Sequence, residues 1–261
     1  TLPVVEFGSQ LVHSKDLDPE NVVVWEAGLS PIQLKKWLLA YWCCYHCGTS
    51  SWVLDQPNYW KALHKVAASK EYPRASERRH FRGQLAVRTV EALEHMSVLD
   101  RFEELCRGDN LGVGEVIKRV KKWYNFGPWI AFKVADMLER LAIKSIAFKD
   151  TDTFLFDSPR EGASLVTSLY ANREHVRQDL APKWALDYLK QGLGSLKAPP
   201  RYERLLNGQE FETILCKFVG HCNGKYRVGK DIEEVRQGLE KFVSLSSTAK
   251  KLLGVAHCLK S

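Results

Sequence analysis

The chain has 261 residues, 45% hydrophobic and 26% charged, enough apolar material for a substantial core and unlike a disordered or fibrous protein. Lys and Arg number 38 against 31 Asp and Glu, and the net charge of +7 favours a polyanionic partner. Seven cysteines without framework-like spacing, and no N-terminal apolar leader, argue against a disulfide-stapled secreted domain and for a reducing, cytoplasmic setting.

In chain order, LPVVEFG (2–8) and NVVVWE (21–26) read as short strands. Ser30, Pro31 and Gln33 then form a capping box with proline at the first helical position. The helix they start is apolar nearly all round after Trp37, so it is expected to be central, with Gly48 as its stop. Its apolar run, Trp37 to Tyr45, is too short to cross a bilayer. Apolar residues at three- and four-residue spacing predict helices within 59–69, 81–96, 99–107, 114–124 and 129–142. Further helices are expected at 161–170, 173–191, 209–222 and 230–243. No alternating sheet pattern and no repeat is present, and the Gly/Pro-rich connector at 194–201 is the one soft boundary. The expected fold class is all-α: an N-terminal arm at 1–29, a helical domain at 30–193, and a C-terminal helical segment at 194–261 packed on the same domain.

Three clusters carry chemistry. The first is NFGPW, which follows the basic run GEVIKRVKKWY. Asn125 tolerates the left-handed conformation, Gly127 carries no Cβ, and Pro128 is preset for a first helical turn. Asn125 to Pro128 therefore suits a tight turn between two helices, with Phe126 as an inward plug. The free N–H groups from Trp129 onward make an anion site, and Lys118, Arg119, Lys121 and Lys122 lie nearby for a phosphate backbone. A plain helical hairpin with a solvated basic face explains the same pattern. The second cluster, PRASERRHFRGQ, gathers Arg74, Arg78, Arg79, His80 and Arg82, a density suited to bidentate phosphate contacts or to a solvated helix start. The third, FKDTDTFLFDSP, sets Asp150, Asp152 and Asp157 among aromatic residues, either as general bases or as helix N-caps. Trp123 and Trp129 flank the turn and either stack on a displaced base or belong to the core. Cys43, Cys44, His46 and Cys47, with Cys216, His221 and Cys222 downstream, read as buried thiols and not as metal ligands, because their surroundings are apolar.

The order helix, Gly-containing turn, helix, then Asp150-Thr151 resembles the helix-hairpin-helix DNA glycosylase fold, over 115–141 for the paired helices. Trp129 stands where lyase-active glycosylases carry a lysine, which speaks against Schiff-base chemistry. Four segments, ERRHFRG (77–83), FGPWIAFKVADM (126–137), TDTFLFDSPREGA (151–163) and ETILCKFVGHCNGKYRVGKDI (212–232), more closely resemble the bacteriophage amino acid:DNA transferases, also called α-glutamyl/putrescinyl-thymine pyrophosphorylases.

That resemblance implies a transferase for DNA thymine hypermodification. It would act on a flipped 5-hydroxymethyluracil already phosphorylated by a separate kinase, and replace the phosphate or pyrophosphate at the C5-methylene with a free amino acid or amine. It further implies that Arg78, Arg79 and Arg82 hold the leaving phosphate, with His80 as acid or orienting donor. Asn125, Phe126, Gly127, Trp129, Lys121 and Lys122 would grip the DNA. Asp150 or Asp152 would take the amine proton, and Glu212, Lys217, His221 and Asp231 would complete the pocket. Lys217 and His221 are four residues apart, one helical face, where a surface pair is the plain alternative. No metal and no cofactor are expected, with room only for a monovalent cation at the hairpin, and the enzyme is expected to be a monomer without membrane association. The alternatives are a monofunctional helix-hairpin-helix glycosylase, which shares the fold and the aspartate, and a non-catalytic DNA-binding module.

Overall fold

The computed structural model describes residues 2–171 and 180–259. The helices are α1 (Val4–Ser14), α2 (Pro19–Glu26), α3 (Pro31–Cys44), α4 (Cys47–Asp55) and α5 (Tyr59–Ala68). Next come α6 (Gly83–Glu94), α7 (Val98–Leu105), α8 (Val113–Val120), α9 (Pro128–Arg140) and α10 (Asp157–Tyr170). The last four are α11 (Ala181–Leu193), α12 (Gly208–Cys222), α13 (Lys230–Glu240) and α14 (Ser247–His257). Short 3-10 turns occupy Ser76–Arg78 and Asp150–Phe154. The strands among the described residues are β1 (Leu111–Gly112) and β2 (Ile146–Ala147), paired in parallel with Leu111 opposite Ile146. The all-α expectation holds.

The chain forms two compact units, one comprising Thr1–Pro19, Phe148–Ile232 and Leu259–Ser261, the other Glu20–Ala147 and Glu233–Cys258. The connector at 194–201 lies inside the first unit, where Ala198 N–H donates to Arg204 O (2.8 Å) and Leu206 N–H to Leu196 O (3.1 Å). In that unit the core joins Phe7 and Leu11 of α1 to Val166 of α10, Leu189 of α11 and Phe211, Ile214 and Phe218 of α12. Gly162 lets α10 approach α12 closely, since a Cβ there would stand 2.4 Å from the Leu215 carbonyl oxygen. In the second unit, Trp37 and Trp42 of α3 are fully buried. Their indole N–H groups are satisfied by Ser51 Oγ (3.0 Å) and Met137 Sδ (3.3 Å).

Three sequence expectations are corrected. Residues 2–8 and 21–26 lie in or lead into α1 and α2, not strands. Val4, Phe7 and Leu11 are buried at helical spacing, and Val22, Val23 and Val24 are buried together, so burial overrides the β preference of the valines. Gly48 does not end the central helix. That helix stops at Cys44, with Tyr45 left-handed at φ 52°, and Gly48 sits inside α4. Its missing Cβ has another use: one built there would lie 2.1 Å from the Gly238 carbonyl oxygen. The predicted helix at 173–191 lies outside the described residues over 173–179 and is observed from Ala181. The Ser30 capping box is present as expected, with Gln33 N–H on Ser30 Oγ and Ser30 N–H on Gln33 Oε1.

His46 is the N-cap of α4, its Nδ1 accepting from Thr49 N–H at 3.1 Å. Burial, helped by the charge of Lys241, pulls its pKa down from 6.5 to about 4. The folded state thus keeps His46 neutral where the unfolded chain protonates it, so stability present above pH 6.5 is lost as pH falls toward 4. The loss should reach about 3 kcal/mol across that window. Urea titrations at stepped pH should show that slope, and His46→Asn, which can still cap, should flatten it.

Candidate functional site

The second unit holds the turn. After α8, the chain turns through 121–127, with Phe126 N–H on Trp123 O (3.1 Å), before α9 begins at Pro128. Asn125 is left-handed at φ 62°, as expected. Gly127 is not left-handed: it is the N-cap of α9 at φ −83°, with no side-chain cap and nothing within 4 Å of a Cβ position. Its use is therefore openness, leaving the N–H groups of Trp129 and Ile130 approachable at the start of a 13-residue helix. Phe126 is buried as the plug, and Trp123 is core, tilted against Trp42 and edge-on to Phe126. Trp129 is half-buried, edge-on to Tyr45. The exposed aromatic at the turn is instead Tyr124, which the sequence reading passed over.

The arginines of ERRHFRG divide by exposure. Arg79, His80 and Arg82 are exposed and free to meet an anion from solvent. Arg78 is only 5% exposed. Its Nε donates to Cys43 O (3.0 Å) and its Nη1 to Asn125 O (3.3 Å), while the guanidinium lies 4.9 Å over the Phe126 ring. Arg74 also turns inward, onto the carbonyls of Val66, Ser69 and Phe81. Burial lowers the pKa of Arg78, but from so high a value that it stays cationic. Arg78 thus ties α3 and the turn together from beneath. An open cleft of about 650 Å³ lies against the turn, lined by Arg78, His80, Lys121, Lys122, Tyr124 and Trp129 among others. The Asn125 carbonyl oxygen at the turn already accepts from the Arg78 guanidinium.

Arg78→Lys should cost about 2 kcal/mol of stability, because one ammonium cannot replace a fork that reaches two separate carbonyls. Chemical denaturation measures this, and a loss under 0.5 kcal/mol (roughly the effect of an ordinary surface change) would contradict the clamp.

The remaining predicted residues belong to the first unit. Asp152 is half-buried and accepts from Lys149 N–H at 2.6 Å, closing the 3-10 turn. Asp150 is exposed and pairs with Lys190 Nζ of α11 at 2.6 Å. Glu212 is buried, with the Thr213 hydroxyl 3.3 Å away. Lys217 donates to Asp16 O, Leu17 O and the Asp231 carboxylate, each at 2.6 Å, and so has no N–H left for a substrate. Burial alone would lower its pKa, but Asp231, Asp18 and Asp16 outweigh it and hold the ammonium charged. His221 accepts from Leu2 N–H at Nε2 (2.9 Å), faces Tyr226 O at Nδ1 (3.2 Å) and stacks on Phe7. Both ring nitrogens are therefore engaged in packing α12 against α1. The residue missed in sequence is Asp16, fully buried, whose carboxylate accepts from Tyr226 OH (2.7 Å), Gly229 N–H (2.7 Å) and Ile232 N–H (2.9 Å). Cys43, Cys44 and Cys47 are free and buried, and burial raises the pKa of each thiol.

The family model described as amino acid:DNA transferase matches residues 12–225, most of the chain, including the turn, Asp150, Lys217 and His221. The chain belongs to this family. It is 34% identical to a glycinyltransferase of Pseudomonas phage PaMx11 over 95% of this chain and 94% of that protein. A putrescinyltransferase of Delftia phage PhiW-14 is 26% identical over 75% of this chain and 64% of its own length. The enzyme is therefore a transferase of DNA modification, which decides against the glycosylase and the non-catalytic module. Among the described residues, no helix is long and apolar enough to cross a membrane.

Proposed function

We propose that this transferase places an amino acid or amine on the C5-methylene of 5-phosphomethyluracil in DNA, displacing phosphate. The phosphate would come from a separate kinase, since the sequence has no glycine-rich phosphate loop ending in Gly-Lys-Ser or Gly-Lys-Thr. In the reaction, the donor ammonium gives one proton to Asp150 and its nitrogen forms a bond to the methylene carbon. The carbon–oxygen bond breaks with its electrons on the departing phosphate, assisted by the pyrimidine ring. The proton held by Asp150 then passes to that phosphate. One phosphoester and one ammonium thus yield one secondary ammonium and one hydrogen phosphate. His80, which lines the cleft at the clamped turn, and the exposed Arg79 and Arg82 are assigned to phosphate groups, as are Lys121, Lys122 and the N-terminus of α9. Tyr124 is assigned to stacking on a base. Arg78, Lys217, His221 and Asp231 are assigned to positioning.

The observation that carries this reading is the state of Asp150. Of the carboxylates singled out, Asp152 is engaged by backbone, Glu212 is buried and Asp231 is tied to Lys217. Asp150 and Asp157 are both exposed with a side-chain partner that can move, and of these two it is Asp150 that stands where the resemblance to the glycosylase fold puts the aspartate. The test is duplex DNA bearing 5-phosphomethyluracil, incubated with amino acids and diamines, glycine first, then digested to nucleosides for mass spectrometry. A nucleoside carrying one donor in place of phosphate supports the proposal. Abasic sites, or an unchanged nucleoside with every donor, would sink it.

A further inference from the structure

The ion pair between Asp150 and Lys190 has a use beyond proton transfer. It joins the 3-10 turn to α11, with the side chains 60% and 38% exposed respectively. Leu186 and Leu193, four residues before and three after Lys190, are buried with Leu189 and seat α11 alongside it. Lys183, Asp187 and Lys190 are spaced by four and three residues and so share one stripe of that helix. Lys183 pairs with Asp187 at 2.7 Å, and Asp150 is near enough to add to the field that keeps Lys183 protonated after Asp187. The result is two carboxylates and two ammonium groups on an open surface, each with only a side-chain ion partner. An exposed pair of this kind contributes little to folding, so opening it is cheap. A ligand carrying both charges on neighbouring atoms would restore both interactions at once.

From this geometry we infer that Asp150 and Lys190 form the donor subsite, and that its ligand class is the zwitterionic α-amino acid: Asp150 takes the ammonium and Lys190 the carboxylate. The assignment rests on the transferase reading and deepens it. A diamine has no carboxylate, and its second ammonium would be repelled by Lys190. The same pairing places the donor nitrogen at Asp150, which the proposed proton transfer needs.

The experiment compares glycine, glycine methyl ester and a short diamine as donors with wild type and Lys190→Met. Because turnover and binding can fail separately, glycine binding to the DNA-free enzyme is also followed by NMR. Loss of one charge-assisted contact predicts that wild type favours glycine over its methyl ester by about 10-fold or more in kcat/KM. In Lys190→Met that preference should collapse through a higher KM for glycine, with kcat changed far less. Lys190→Glu should turn the preference toward the diamine. Glycine binding should weaken by a similar factor in Lys190→Met, an outcome that stands even if no transfer to the phosphorylated base is seen. Indifference of wild type to the esterified carboxylate, or an equal loss for all three donors in Lys190→Met, overturns the subsite while leaving the transferase reading intact.

Discussion

Asp150→Asn is expected to lower the rate of transfer by about 10²- to 10⁴-fold, the usual contribution of a positioned general base. The substitution keeps the shape of the side chain and still offers an oxygen to Lys190, but it cannot accept a proton from the donor. Because Asp150 is exposed and its pairing with Lys190 is a surface contact, folding stability should change by less than about 1 kcal/mol. DNA affinity, assigned to residues of the other unit, should be kept. The comparison that gives the result meaning is Asp152→Asn. Asp152 closes the 3-10 turn through Lys149 N–H, so its loss should appear as about 1 kcal/mol of stability with a modest rate effect. Single-turnover kinetics at saturating donor, alongside fluorescence anisotropy on labelled duplex, separates the two. A normal rate in Asp150→Asn, or a slow rate traced wholly to lost DNA binding, would remove Asp150 from the chemistry.

The parts of this molecule legible in sequence are those set by local rules. The Ser30 capping box, the left-handed Asn125, Pro128 at the first position of α9 and the helical spacing of α8 and α9 each depend on a few neighbouring residues, and each is found. The misreadings depend on distant partners. Gly48 is a glycine because Gly238, far along the chain, packs against it. ERRHFRG does not say which arginine turns inward; that is decided by the 3-10 turn at Ser76–Arg78 and by the carbonyls of Cys43 and Asn125 that face it. The same limit governs Lys217 and His221. Their four-residue spacing correctly puts them on one face of α12, but the chemistry of that face is set by what it meets. Leu2, Phe7, Asp16 and Leu17 surround these side chains, and reading 2–8 as a strand hid the helix that presents them. On this reading the pair, with its partners, is a packing device.

If so, Lys217→Met should damage the fold before it damages the chemistry. It removes the ammonium that serves two carbonyl oxygens and the Asp231 carboxylate, and it leaves Asp16 buried beside no counter-charge. Breaking one side of a buried charge cluster costs about 3–5 kcal/mol, a drop in Tm of roughly 10 °C for a chain of this size. The pH dependence gives the assignment a signature that a lost catalytic lysine would lack. Burial already raises the pKa of Asp16, against the pull of Lys217 and the bonds from Tyr226 and Ile232. Without Lys217 the raising effect goes unopposed by that charge, so acidification should protonate Asp16 and relieve part of the penalty. The stability gap between Lys217→Met and wild type should therefore be widest near neutral pH and narrow toward pH 5. Wild type should instead lose the contribution of Lys217 only in alkali. Its folded pKa is raised above 10.5, so that stability is present below 10.5 and disappears as pH climbs through the folded value. Asp16→Asn supplies the cross-check. An amide cannot accept from Tyr226, Gly229 and Ile232 together, because its NH₂ would face a donor. Combined with Lys217→Met, it should cost at least about 1 kcal/mol less than the two changes added. Strict additivity in that cycle, or a gap that does not move with pH, would mean that Lys217 and Asp16 act independently and that the ammonium is held in reserve for the reaction.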